Sequence, residues 1–337
     1  MIPQKFLKFF TLIFLSSFLF SIETTSDFRG KVTDNFGNSL QGANVTITNV
    51  GTNISSSTTT NETGNFIISN LSVGGPYTIL ITSSVGSQRY EDVFLNLGQT
   101  LALNVTLRDF EQLVVTGAQV SQAQVAIGPN TIFNEIDLET TPSIERDIKE
   151  VLLSDPRFTI NPDNRRALSC NGSHPRLNGF TLDGVALTDG FGLNSNGYPT
   201  TRMPFSYDAV QQVAVEFAPF DVQYGNFQAC AINAVTKSGT NEISGNAFYE
   251  YAGDELAGNK YGDNTFTPVP YEESKVGFTL GGPMIQDKAF FFLAVERYDQ
   301  VDTSPYGPLG SGAPNEQDFI SMSMYNEIID IMKTKYN

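Results

Sequence analysis

The chain has 337 residues, enough for two or three domains. Its 36 Asp and Glu against 20 Lys and Arg leave a net charge of -16, which argues against nucleic acid as a partner because phosphate binding needs clustered basic residues. A single histidine is too few for the His and Glu ligands of a zinc peptidase, and a 17% charged fraction with 26 Phe, 13 Tyr and 29 Gly favours a mainly β chain.

The N-terminus reads as a targeting segment. Lys5 and Lys8 precede an apolar run from Phe9 to Phe20. The run falls short of the about 20 apolar residues that span a bilayer. Residues 1–22 are therefore expected to be a cleaved secretory signal rather than an anchor. Export makes a disulfide between Cys170 and Cys230 possible, although two buried thiols fit the same residues.

Residues 27–108 alternate apolar and polar positions in short runs. The apolar positions are Val45 and Ile47, Phe66 and Ile68, Tyr77, Ile79 and Ile81, then Leu101, Leu103, Val105 and Leu107. Turn chemistry at Asp34 to Gly37 and at Asn61 to Asn65 separates them. Period two at this spacing predicts an Ig-like β-sandwich. A heptad follows within residues 110–117: Glu111, Gln112, Leu113, Val114, Val115, Thr116 and Gly117. Linkers are usually polar and solvated, yet this one is β-branched and almost uncharged. It fits a strand offered to a partner, the last strand of the sandwich, or the first strand of the next domain.

Residues 118–240 mix helix and strand signals. Thr141 is placed to cap a helix, Pro142 suits its first turn, and Asp155 with Pro156 ends it. Ile144, Ile148, Val151 and Leu152 would form its apolar face. A hairpin about Asp183 and Gly184 follows, then a strand with Val213, Val215 and Phe217 on one side. This predicts a small α+β unit with long Gly- and Asn-rich loops. His174, beside Pro175, has no neighbours at ligand spacing and reads as structural. No metal, cofactor or catalytic constellation is indicated.

From about residue 243 three stretches alternate aromatic or apolar residues with polar ones. If Glu250, Lys275 and Glu296 share one side, Tyr249 and Tyr251, Val276, Phe278 and Leu280, and Leu293 and Val295 lie on the other. A tight turn at Pro283 to Asp287 and a long polar loop over 252–273 connect them. Apolar outside, mixed inside, with short and long connections on opposite ends, is the transmembrane β-barrel pattern. The last residues place Ile320, Met324, Ile328 and Ile331 at helical spacing.

Two resemblances join these pieces. "GKVTDNFGNSLQGANVTITN" (Gly30 to Asn49), with the later "TGNF" and "GPYT", resembles the carboxypeptidase regulatory-like domain. "FGLNSNGYPT", "APFDVQYG" and "INAVTKSGTN" resemble TonB-dependent outer-membrane receptors of the Oar-like branch. The resemblance implies a Gram-negative outer-membrane protein, not an enzyme, that imports a small-molecule, peptide or oligosaccharide nutrient. It implies that 111–117 is the segment that pairs with TonB, which works with ExbB and ExbD. It makes 118–240 a plug inside a barrel of about 22 strands, and 241–337 the first, lipid-facing strands of that barrel. It offers Asn194, Asn196, Tyr198 and Arg202 as substrate contacts, although the same residues also serve as turn formers. The stretch beyond 240 is short for such a barrel, so the sequence reads as an incomplete barrel cut after about three strands. A secreted or surface β-rich adhesin or glycan-binding protein is the alternative that the sandwich alone would allow.

Overall fold

The computed structural model describes residues 24–336 except 109–111, 117–123, 127, 162–166, 190–193, 195–196, 201, 220–224, 226, 266–269, 303–305 and 314. The expected signal over 1–22 lies outside the described residues. The chain is mainly β.

The first strands are β1 (Thr25–Thr33), β2 (Asn44–Asn49), β3 (Ser55–Thr59), β4 (Asn65–Ser72), β5 (Gly74–Thr82), β6 (Ser87–Leu95), β7 (Gln99–Thr106), β8 (Gln112–Thr116) and β9 (Gln124–Ala126). They form two sheets, ordered β4-β1-β7-β9 and β3-β2-β5-β6-β8. Alternation sends Val45 and Ile47 from β2, and Tyr77, Ile79 and Ile81 from β5, into one core with Phe28, Phe66 and Leu101. Phe28 and Phe66 meet edge-on at 4.9 Å between ring centroids. β1 and β7 run parallel, and a Cβ on Gly30 would overlap the Leu103 carbonyl, so this close approach requires glycine. The turns close as their residues predict. Asp34 accepts from the Phe36 and Asn38 amides, and Asn61 accepts from those of Thr63 and Asn65.

The next elements are β10 (Asn130–Phe133), α1 (Glu135–Thr140), α2 (Ile148–Leu152), β11 (Phe158–Asn161), β12 (Ala167–Cys170), β13 (Gly179–Leu182), β14 (Val185–Ala186), β15 (Val210–Glu216) and β16 (Ala231–Thr236). Five of them make a mixed sheet ordered β10-β15-β16-β13-β14. The β13–β14 hairpin turns at Asp183 and Gly184, both at positive φ (48° and 77°), which a two-residue turn demands.

The helix expected from Thr141 onward is much shorter. Thr141 closes α1 instead of capping a new helix, Pro142 is not helical, and Ile144 is 84% exposed. Local side-chain bonds win over the helix ladder. The Ser143 hydroxyl accepts from the Asp147 amide and donates to the Glu150 carboxylate. The same carboxylate accepts from the Glu145 amide. Arg146 takes φ +53°, and only from Asp147, whose carboxylate accepts from the Lys149 amide, does the helix run.

The remaining elements are β17 (Ser244–Gly253), β18 (Lys260–Tyr261), β19 (Asn264–Thr265), β20 (Tyr271–Ile285), β21 (Ala289–Asp302), β22 (Tyr306–Leu309), β23 (Asn315–Ser321) and α3 (Met322–Tyr336). β17, β20 and β21 form one sheet with β20 in the middle. The β20–β21 connection is tight, with Asp287 at φ +60°. β18 and β19 form a small hairpin inside the long connection. Ile320 belongs to β23 and not to the final helix, which starts two residues later. The Ser321 hydroxyl accepts from the Met324 amide there and caps the first turn.

Candidate functional site

Within the heptad, Gln112–Thr116 form a strand at the edge of its sheet among the described residues. β8 pairs in parallel with β6, with Ser87 opposite Gln112, Gln88 opposite Leu113, Arg89 opposite Val114, Tyr90 opposite Val115 and Glu91 opposite Thr116. Glu111 and Gly117 lie outside the described residues. Further on, β9 adds antiparallel to β7 at the edge of the other sheet. The stretch between β7 and β10 therefore lends one strand to each sheet of the sandwich.

The expected contact residues at 194–202 are partly built into the α+β unit. Tyr198 is 3% exposed, and its hydroxyl donates to Asp147 Oδ1 at 2.9 Å. Its ring meets Phe180 edge-on at 5.3 Å, and Lys149 Nζ sits 3.9 Å from its centroid. Burial and the neighbouring Asp147 charge push its phenol well above the ordinary tyrosine value. Such a residue anchors the loop and is not offered to a solute. The Asn194 amide N–H donates to Asp189 Oδ2 at 2.7 Å, and its side-chain Nδ2 donates to the Pro199 carbonyl at 2.9 Å. The Arg202 carbonyl accepts from the Thr200 hydroxyl, while its side chain is half-buried. Asn196 lies outside the described residues.

Cys170, at the end of β12, is disulfide-bonded to Cys230, just before β16, with Cα atoms 6.2 Å apart. The bridge ties the β11–β12 hairpin to the middle of the five-stranded mixed sheet. His174 Nδ1 accepts from the Arg176 amide and caps a short 3-10 turn, a structural task. Among the described residues no group of three or more His, Cys, Asp or Glu is placed to hold a metal ion.

Several linking residues carry no motif that a sequence reading could catch. Asp155 is 8% exposed and held by Arg157, whose Nε donates to Oδ1 at 2.9 Å. The guanidinium also stacks 3.6 Å from the Phe217 centroid. These hydrogen bonds hold the Asp155 carboxyl far below the usual carboxylate range. Gln212, 2% exposed, joins the sandwich to the mixed sheet. Its Oε1 accepts from the Leu97 amide at 2.6 Å, and its Nε2 donates to Asn134 Oδ1 at 2.5 Å. The only sequence signal for Gln212 is a polar residue within an apolar strand.

The β17–β20–β21 sheet has two unlike faces. Val276, Phe278 and Leu280 on β20 are exposed, as are Leu293 and Val295 on β21. Lys275 points the other way, 5% exposed, with Glu273 at 2.9 Å and Glu250 at 3.7 Å. A row of exposed apolar side chains opposite a charged cluster suits lipid on one side and a polar interior on the other. No helix among the described residues is long and apolar enough to cross a membrane, which says nothing of crossing by strands.

Comparison with known proteins agrees with this division. Residues 27–108 match the carboxypeptidase regulatory-like domain, and residues 235–311 match the outer membrane beta barrel domain. The class is thus an outer-membrane β-barrel protein with an N-terminal regulatory-like sandwich. Over 132 residues the chain is 32% identical to the TonB-dependent transporter Oar of Myxococcus xanthus, covering 37% of this chain and 12% of that relative. The matched stretch is thus a small part of that relative's length. Among solved structures, the outer-membrane transporter YddB from Escherichia coli aligns with 13% identity and a TM-score of 0.40, covering 51% of this chain and 26% of that one. The siderophore receptor PirA from Acinetobacter baumannii aligns with 20% identity and a TM-score of 0.37, covering 50% and 24%.

Proposed function

We propose that this chain is the N-terminal part of a TonB-dependent transporter that takes up a large or scarce nutrient across the outer membrane. In this reading residues 27–108 are a periplasmic sandwich, 110–117 the coupling segment, 118–240 the plug and 241–337 the start of the barrel. TonB, energised through ExbB and ExbD, pairs with the segment as an added strand and pulls, and the plug rearranges to open a path. Binding and passage need shape and hydrogen bonds rather than covalent catalysis. Of the loop residues, Asn194, Asn196 and Arg202 remain the proposed substrate contacts, with Tyr198 as their anchor.

The observation that carries the reading is the extended strand at 112–116, placed between a sandwich and a plug and followed by strands with one apolar face. Strand addition takes most of its affinity from main-chain bonds, so an uncharged β-branched segment suits it. The test is binding of the TonB C-terminal domain to the whole chain. Val114→Pro removes a main-chain donor and should weaken that binding about tenfold or more. Equal binding by both Val114→Pro and Val115→Pro, which between them remove a donor from each edge of the strand, rejects the segment as the coupling site.

A further inference from the structure

The pairing of β8 with β6 bears on how the coupling segment is presented. A strand has two edges. β8 uses one against β6, and it ends the order β3-β2-β5-β6-β8 among the described residues. In a parallel pair, successive residues aim their N–H and C=O groups alternately toward and away from the partner strand. About half of the β8 main-chain groups therefore serve β6, and the rest face outward. An outward row of main-chain donors and acceptors on an uncharged edge strand is a template for another strand.

We infer that the sandwich is the platform on which the partner strand docks: TonB adds to the outer edge of β8 while β8 stays paired with β6. This rests on the coupling role proposed for the heptad. A free peptide must be ordered when it binds, and that ordering opposes association. Here β6 has already extended residues 112–116, so the partner meets a preformed edge. Only residues 107–111 separate the end of β7 from the start of β8. The tether starts from the opposite sheet, and being so short it holds the strand close to the sandwich edge at an effective concentration on the order of millimolar. The partner completes a sixth strand on a five-stranded sheet. The opposite arrangement, in which β6 masks the heptad and TonB must strip it off, would use the inner edge.

The two arrangements differ in one measurement. Gln88→Cys with Leu113→Cys places thiols at register partners, and a short bis-thiol reagent can lock β8 to β6 in the whole exported chain. The locked chain should bind the TonB C-terminal domain within about threefold of the unlocked one. A loss of about tenfold or more on locking overturns the platform, as does failure of the two thiols to cross-link. Hydrogen exchange on the unmodified chain provides a second readout. Adding the TonB domain should protect amides in 112–116 and leave those of 87–91 protected. Deprotection of 87–91 would mean that β8 leaves, and would overturn the inference. Val114→Pro and Val115→Pro are the controls, since one removes an inward donor and the other an outward one. If neither changes binding, the coupling role itself fails and the platform falls with it. If the outward one weakens binding while locking abolishes it, the coupling role stands and the platform alone is wrong.

Discussion

The sandwich core holds Phe28, Val32, Ile47, Ile79, Ile81 and Leu101, and its buried polar side chains among the described residues are Ser26 and Thr60. The α+β unit proposed as the plug instead buries Lys149, Asp155, Asn178, Thr181, Gln212, Glu216 and Asn233. Many of these are tied by directional bonds, such as Thr181 Oγ1 to Asn233 Oδ1 at 2.7 Å and Asn178 Nδ2 to the Leu168 carbonyl at 2.8 Å. Apolar burial is non-directional and scales with area. Buried polar links cost desolvation and return it only in one geometry. The plug has an apolar core of its own around Phe133, Leu152, Phe158 and Val213, and adds these directional links to it. Perturbing packing should therefore strike whichever core is cut, whereas perturbing links should strike the plug.

The largest effect is expected from Phe28→Ala. Truncating a buried Phe typically costs about 3–5 kcal/mol, and the ring also loses its edge contact with Phe66. Urea denaturation followed by circular dichroism should show the sandwich transition moving while the plug transition stays. A cost below about 1 kcal/mol would mean the core is not what holds the sandwich.

The disulfide comes next. Cys170 and Cys230 are 60 residues apart, and a loop of that size is worth about 4 kcal/mol at most in the chain-entropy model. Cys170→Ser with Cys230→Ser should lower the plug transition and leave the sandwich unmoved. Mass spectrometry of the non-reduced, exported chain should find the two cysteine peptides linked. Two alkylatable thiols in the folded, exported chain would remove the bridge from the plug side of the comparison.

The smallest effect at neutral pH concerns acid. Asp155 has a folded pKa depressed mainly by the Arg157 hydrogen bonds. Its contribution is therefore present above the unfolded value of about 3.9. It is lost as pH falls from there through the lower folded value. Plug stability should drop over that window, and Asp155→Asn should remove this part of the drop. An unchanged acid profile in the variant would mean that the Asp155–Arg157 link does not stabilise the plug.

Much of the fold was open to a reader of the sequence alone. Period-two runs located the sandwich strands, and Asp34, Asn61 and Asp183 with Gly184 marked turns that the structure closes. The apolar row Val276, Phe278 and Leu280 against Lys275 was legible for the same reason: strand alternation is a local geometric property. The helix over 141–156 misled, because capping and apolar spacing were present while Ser143, Asp147 and Glu150 spent their side chains on the backbone. The loop over 194–202 was legible only in part. Asn, Tyr and Gly read alike in a binding loop and in a folded one, and only packing put the Tyr198 ring against Phe180.

By itself, then, the sequence determined the order of the parts, the faces of their strands and the extended character of Gln112 to Thr116. Those follow from backbone period, turn chemistry and β propensity, which act within a few residues. Tertiary structure alone decided that this strand joins β6, that Gln212 reaches Leu97, and that Asp147 receives the Tyr198 hydroxyl. Each is a pairing between residues distant in the chain. Main-chain edges look the same in every strand, and a lone buried amide or carboxylate names no partner. Such pairings exist only once the chain has closed and excluded water from both groups.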